Sequence, residues 1–286
     1  MEERIKIALQ KSGRLHDGSL DILKKAGIKI SVREGVLKAS SHSYPADVLL
    51  LRNSDIPEYV QDGVADLAIV GSNLLEEVKA DVEVLMPLGF SKCKVSLAVP
   101  KDVDYKGNSW FNGKRIATSY PNTLQKYLDE QSISAELHVI SGSVEIAPNI
   151  GLSDAVFDIV SSGSTLFKNG LREVETVLRS EAVLIGRKDM EAGLKEYVEE
   201  ICFRLRSVIE GQSTKYVLLN APNDRIERIT KLLPGVKSPT IMPLATEGWS
   251  SLHSVVPESD FWQVINDLKE AGAEGILVLP IEKMVQ

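Results

Sequence analysis

Short, unbroken apolar runs that end in polar or glycine-containing loops constrain this chain more than any other feature. Val48-Leu49-Leu50-Leu51 and Leu67-Ala68-Ile69-Val70 contain no polar residue. Strands covered on both faces read this way, because helices lie on each side of a parallel sheet. Each run is followed by helix-start chemistry. Asn53-Ser54-Asp55-Ile56-Pro57 offers capping side chains and a first-turn proline, and Gly71 precedes a helix from Ser72 or Asn73 to about Lys79. Strands alternating with helices indicate a parallel α/β layer. Ile5-Lys6-Ile7-Ala8-Leu9 reads as its first strand, and the helix after it, through Leu20, Ile22 and Leu23, closes at Gly27.

A second α/β block follows. Its strands are Cys93 to Pro100, Lys114 to Ser119, Ala135 to Ile140 and Ala155 to Val160, with a helix through Leu124 and Leu128. Val174 to Ile185 reads as a hydrophobic return. From Met190 to Gly211, Leu194, Tyr197, Val198, Ile201, Leu205, Val208 and Ile209 recur at helical spacing, and Gly211-Gln212-Ser213 reads as a linker. The remainder runs strand (Lys215 to Leu219), helix (Asn223 or Asp224 through Leu233, stopped by Pro234-Gly235), strand (Thr240 to Ala245), strand (Ser251 to Val256), helix (Ser259 to Ala271), strand (Gly275 to Pro280). That βαββαβ order is the ferredoxin-like unit.

A chain of 286 residues suggests two or three such domains. A net charge of −7 argues against general nucleic-acid binding, which needs a basic face. The start carries no signal-peptide pattern and no run is long enough to span a membrane, so a cytoplasmic location is expected. Cys93 and Cys202 lie in no metal-spacing motif, and His16, His42, His138 and His253 are scattered, so a protein-held zinc site is not expected.

Ligands of α/β proteins gather at loops after the strands. Gln10-Lys11-Ser12-Gly13-Arg14-Leu15 combines two cations, a hydroxyl and a glycine at such a loop. Asp158-Ile159-Val160-Ser161-Ser162-Gly163-Ser164-Thr165-Leu166 places an acid before a loop of hydroxyls and a glycine. That loop fits a sugar-phosphate clamp, with converging backbone N–H groups and a helical turn starting near Ser164 or Thr165. It also fits an ordinary strand–turn with solvated hydroxyls. Glu145 has two readings, a substrate-orienting acid or an acid favoured by a helix N-terminus. Tyr120 has two as well, stacking on a base or filling a loop. A two-lobed arrangement places ligands in the cleft between lobes.

These pieces, in this order, resemble the long form of the ATP phosphoribosyltransferase family nearly end to end. The resemblance rests on Gln10 to Leu15, Arg52 with Asp55-Ile56-Pro57, Asp62 to Gly71, Gly113 to Pro121, Gly142-Ser143-Val144-Glu145, and Asp158 to Leu166. In the last part it rests on Lys215-Tyr216, Ser238-Pro239-Thr240-Ile241 and Ile276 to Met284. Ser162 departs mildly from the pattern, where Thr is expected in many relatives; a hydroxyl remains.

The resemblance implies a fold and a reaction. The fold is a two-lobed catalytic part like the periplasmic binding proteins, with residues 1–94 and 183–212 in one discontinuous lobe and 95–182 in the other. A ferredoxin-like, ACT-like regulatory domain follows in residues 213–286. The reaction is transfer of the phosphoribosyl group of phosphoribosyl pyrophosphate to N1 of ATP, the first step of histidine biosynthesis, with Mg2+ held mainly by substrate. Histidine would inhibit, and the chain would form dimers and hexamers, with neither nucleic acid nor membrane as a partner. No protein nucleophile is implied. Lys11, Arg14, Glu145 and Asp158 would position substrate; Asp158, Ser161, Ser162, Gly163, Ser164, Thr165 and Leu166 would hold phosphoribosyl pyrophosphate. Lys11, Ser12, Gly13, Arg14, Leu15, Arg52, Asp55, Gly71, Ser119 and Tyr120 would face ATP. Asn220, Thr240, Leu244, Ser254 and Ala273 would line the histidine pocket. The alternative from another class is a cytoplasmic two-lobed small-molecule sensor without catalysis.

Overall fold

The structure is a computed structural model that describes residues 4–33, 35–161, 163–233, 235 and 238–285. Ser162, read as a phosphate-loop hydroxyl, and Pro234, read as a helix stop, lie outside the described residues. The chain divides into two compact units, residues 1–24 with 28–198 and residues 25–27 with 199–286. Among the described residues no helix is long and apolar enough to cross a membrane.

Two sheets form the first unit. In one, β1 (Ile5–Gln10) lies between β3 (Ala46–Leu51) and β4 (Leu67–Gly71), parallel to both. Ile5, Ile7 and Leu9 of β1 are fully buried, as a central strand requires. β2 (Lys38–Ser40) borders β3, and β11 (Ala182–Gly186) runs antiparallel between β4 and β5 (Glu83–Pro87). Helices α1 (Arg14–Lys25), α2 (Ile56–Gln61) and α3 (Ser72–Val78) follow β1, β3 and β4. Near the start of β3, burial alone would raise the Asp47 carboxyl. Hydrogen bonds from Arg4 (2.8 Å) and from Lys38 (3.0 Å) outweigh it and hold Asp47 at about 2.

The other sheet has the order β10 (Leu171–Ser180), β6 (Cys93–Pro100), β9 (Ala155–Val160), β7 (Arg115–Thr118), β8 (Glu136–Val139). Helix α4 (Pro121–Glu130) follows β7, and Leu124 and Leu128 pack with Phe111, Phe157, Leu97 and Ile116 in its core. The hydrophobic return expected over Val174 to Ile185 is two strands, broken at Glu181: β10 completes the second sheet and β11 re-enters the first. The chain therefore crosses between the sheets twice, after β5 and after β10. The crossings are bonded to each other, Gly89 N–H to the Glu181 carboxylate (3.1 Å) and Ala182 N–H to the Phe90 carbonyl (3.0 Å). An acid that serves the crossing explains why the apolar run breaks there.

In the second unit, the expected linker at 211–213 is absent. Helix α6 (Ala192–Gln212) continues to Gln212 and β12 (Thr214–Pro222) begins two residues later. Gly211 is a packing glycine: a Cβ there would lie 2.8 Å from the Lys283 backbone nitrogen. Met284 N–H donates to the Ser207 carbonyl (2.8 Å) beside it. β12 is central in an antiparallel sheet of order β13 (Thr240–Pro243), β14 (Trp249–Pro257), β12, β15 (Glu274–Pro280). Helices α7 (Ile226–Leu232) and α8 (Phe261–Glu270) bury Ile229 and Leu268 against Val217, Leu219, Leu252 and Val256. The element order and strand order are those of the ferredoxin-like unit.

Candidate functional site

A cavity of about 190 Å³ lies between the two sheets of the first unit. Gln10, Arg14 and Gly71 line it from one lobe and Cys93, Ile159 and Ser161 from the other. Arg14, the first residue of α1, donates from Nη2 to Ser161 Oγ at 3.1 Å. A cation of the first lobe thus touches the hydroxyl loop of the second.

The first-lobe wall begins where β1 ends. Lys11 N–H donates to the Leu51 carbonyl (2.9 Å), and Gly13 takes a left-handed φ of 93° to turn the chain into α1. His16 Nδ1, 2.7 Å from the Gln10 carbonyl oxygen, donates to it and pins the helix to the strand. This leaves the Lys11 and Ser12 side chains and Arg14 exposed and Leu15 half-buried on the cavity wall. Arg52 is exposed at the end of β3; Asp55 starts α2 and accepts the Ser54 hydroxyl at 2.6 Å.

On the second lobe, Asp158 sits near the end of β9, half-buried, and accepts the Ser119 hydroxyl at 3.3 Å. Burial pushes its carboxyl up and the neighbouring Glu145 carboxylate adds to this, against hydrogen bonds from Ile159 N–H and Ser119. Glu145 lies in a 3₁₀ turn, Val144–Ile146, after Ser143 at a φ of 52°. Gly163, at φ 71°, caps the short helix α5 (Ser164–Lys168), whose first N–H groups, with exposed Ser164 and Thr165, rim the loop. Leu166 anchors that helix in the core. Behind it, Lys101 donates to the Phe167 carbonyl (3.1 Å) and holds its last turn.

Tyr120, at the N-cap of α4, faces the first lobe, and its hydroxyl accepts from Asn73 Nδ2 at 3.0 Å. Burial, and then Asp158, push its phenol well up, so it stays protonated and able to donate. Asn73 and Glu77 on α3 were not singled out from the sequence. Glu77 accepts from the backbone N–H of Asn122 and Thr123 (both 2.9 Å) and from the Thr123 hydroxyl (2.8 Å). Ser180 donates to Asn73 Oδ1 at 2.7 Å and accepts from Asn73 N–H at 3.0 Å. Gly71 makes room for this: a Cβ there would meet Asn73 Oδ1 at 2.3 Å. A polar residue at each end of one turn of α3 is the sole sequence signal for the pair. Their partners lie 45 or more residues away.

Of the five positions expected to line a histidine pocket, four divide between the two faces of the second unit's sheet and Leu244 lies beyond the end of β13. Ser254 pairs with Val217 on the helix-covered face, where Ala273 is also buried, and the buried Ser254 hydroxyl has no hydrogen bond among the described residues. Asn220 pairs with Ser251 and Thr240 with His253 on the opposite face, where His253 Nδ1 meets the Tyr216 hydroxyl at 2.7 Å. Leu244 follows β13, its N–H donating to the Trp249 carbonyl (3.0 Å).

The ATP phosphoribosyltransferase family model matches residues 52–207, and that of the HisG C-terminal domain matches residues 211–283. The chain is 56% identical over 281 residues to an ATP phosphoribosyltransferase of Phocaeicola vulgatus, covering 98% of this chain and 99% of that one. It is 54% identical to an ATP phosphoribosyltransferase of Cytophaga hutchinsonii over the full length of both. Among solved structures, a chain of the ATP phosphoribosyl transferase (HisG:HisZ) complex from Thermotoga maritima superposes with a TM-score of 0.63 at 29% identity. That match covers 72% of this chain and 98% of the other.

Proposed function

The chain belongs to the ATP phosphoribosyltransferase family, and from that premise we propose how its cleft divides the work of the reaction. The enzyme transfers the phosphoribosyl group of phosphoribosyl pyrophosphate to N1 of ATP, the first step of histidine biosynthesis. A sensor without catalysis is not favoured, since full-length relatives carry the enzyme's name.

The observation that carries the division is the Arg14–Ser161 contact, which brings a cation of one lobe to the hydroxyl loop of the other on the wall of one cavity. Ser161, Gly163, Ser164 and Thr165, with the first N–H groups of α5, would cradle the 5′-phosphate; Leu166 holds their base in the core. Asp158 and Glu145 would hold the ribose hydroxyls. Lys11 and Arg14 would meet the diphosphate. Tyr120, with Ser119, Gly71 and the Ser12-Gly13-Leu15 stretch, would face ATP, and Arg52 and Asp55 border that wall. In the reaction the adenine N1 lone pair forms the new bond to the anomeric carbon while the bond to the diphosphate oxygen breaks, so the electron pair leaves on pyrophosphate. No protein nucleophile is required. The chain's contribution is alignment of N1 with the sugar carbon and cationic stabilisation of the leaving group.

Mg2+ would enter this site as a substrate-borne ion. Among the described residues no group of three His, Cys, Asp or Glu side chains could hold a metal alone; Asp158 and Glu145, close enough to influence each other, would be the carboxylates available to an Mg2+ carried in by substrate phosphates. Bound there, Mg2+ would neutralise charge on the diphosphate. The second unit would bind histidine as inhibitor, and dimers and hexamers are proposed on the family's pattern, as is a cytoplasmic location.

Mixing the protein with ATP, phosphoribosyl pyrophosphate and Mg2+ should yield phosphoribosyl-ATP and pyrophosphate; folded protein with no product in this assay would overturn the assignment. For the effector, Asn220→Ala and Thr240→Ala should each weaken histidine inhibition while leaving uninhibited turnover unchanged.

A further inference from the structure

Helix α3 presents Asn73 and Glu77, one turn apart and both buried, toward the second lobe. Glu77 is a cap supplied by the other lobe. α4 starts with Tyr120 at its cap position, and no side chain of α4 itself caps it. A helix start leaves four N–H groups without partners inside the helix. Glu77 accepts two of them, from Asn122 and Thr123, and its own carbonyl accepts from Asn122 Nδ2 at 2.9 Å. Its negative charge also sits at the positive end of the helix dipole. One turn earlier, Asn73 holds the hydroxyl of the residue that begins α4. The same Asn73 is bonded to Ser180, at the end of β10 where the chain returns to the first sheet. The start of α4 is therefore held partly from outside its own lobe: Thr118 Oγ1 accepts Tyr120 N–H at 2.8 Å, and the other bonds come from Asn73, which also lines the cavity, and from Glu77, neither of them hydrogen-bonded to Arg14 or to the hydroxyl loop among the described residues.

We propose that Asn73 and Glu77 are positioning residues for the nucleotide wall: they latch α4 to α3 and thereby fix Tyr120, whose ring packs on the core of its own lobe while its hydroxyl reaches the first lobe. This rests on the reading of Tyr120 as facing ATP. The latch predicts a split between substrates, because the phosphate loop is built on β9 and α5 and not on α4.

The test is steady-state kinetics of the full chain with ATP and phosphoribosyl pyrophosphate varied separately, together with site-resolved amide exchange. Glu77→Gln keeps shape but places an NH2 group among N–H donors. It should raise KM for ATP about tenfold and KM for phosphoribosyl pyrophosphate less than twofold. Tyr120→Phe should raise KM for ATP about threefold and Asn73→Ala, which also loses the Ser180 bond, at least as much, and the double variant should do no more than Asn73→Ala, because the bond the two share is already gone. Exchange at the Asn122 and Thr123 amides should quicken at least tenfold in Glu77→Gln. Additive single effects, or both KM values rising together, would overturn the positioning role. Unchanged exchange at those two amides would overturn the latch itself. Quickened exchange with an unaltered KM for ATP in Tyr120→Ala would instead overturn the nucleotide reading of Tyr120, and the positioning role with it.

Discussion

The hydroxyl loop and the α3–α4 seam are both polar stretches at a helix start, yet they are built in opposite ways. At the loop, Ser161, Ser164 and Thr165 are exposed and the protein partner that reaches Ser161 is a cation from the far wall. At the seam, Asn73, Glu77, Thr123 and Ser180 are all buried and bonded to one another or to backbone. Buried polar groups must be matched within the protein, whereas exposed ones can exchange water for a ligand. The contrast teaches where to look for each kind of effect: substitutions at the loop should change binding, and substitutions at the seam and other matched sites should change geometry or stability.

The largest effect should come at the point where the two regions' logic is most exposed. Arg14→Ala should lower kcat/KM by about 100-fold with little change in thermal midpoint, since its proposed role is to meet charge on the substrate. A large drop in midpoint would place Arg14 with the structural groups and break the contrast. Next, Ser164→Ala with Thr165→Ala should raise KM for phosphoribosyl pyrophosphate roughly 30-fold and KM for ATP far less, in line with hydrogen bonds to a charged ligand. Equal changes in both would contradict the loop's assignment.

Smaller effects should appear as stability. Asp47→Asn removes a matched carboxylate distant in sequence from either region. Its folded value, about 2, lies below the ordinary 3.8, so its contribution is present above pH 3.8 and lost as pH falls through about 2. Denaturant titration should show a loss of about 2 kcal/mol at pH 7 that shrinks as the pH is lowered toward 2, with both KM values unchanged. Gly18→Ala should cost about 1 kcal/mol, because the new methyl would sit 2.5 Å from the Phe90 ring and force it aside. A stabilised Gly18→Ala variant would show that α1 can shift without loss.

What could be read from the chain beforehand follows the same division. The buried strands were legible because their apolar runs are local: Val48 to Leu51 and Leu67 to Val70 lie where the pattern puts them, in β3 and β4. The C-terminal βαββαβ order was legible for the same reason. The hydroxyl loop and the Lys11–Arg14 turn drew notice because their chemistry is concentrated in a few consecutive residues. Glu77 did not, because a glutamate in a surface-like helix looks solvated until Thr123 is folded against it. The supposed linker at 211–213 failed likewise. Gly211 resembles a helix stop in sequence, and only the approach of Lys283 shows that the absent side chain serves packing inside the helix. The break at Glu181 was hidden because apolar residues on either side belong to different sheets.

The paired crossings between the sheets have a mechanical consequence. Two bodies joined by two adjacent crossings that are also bonded to each other would move most easily, if the α3–α4 bonds gave way, by a swing about the line through the joint. Points on that line barely travel as the swing proceeds. Ser180, one residue from Glu181, lies almost at the joint, so the Ser180–Asn73 bond would act as a pivot bearing, holding its length through opening and closing. Arg14 and Ser161 stand out in the cavity, where the same swing would carry them furthest apart, and an incoming phosphate would be felt there as torque.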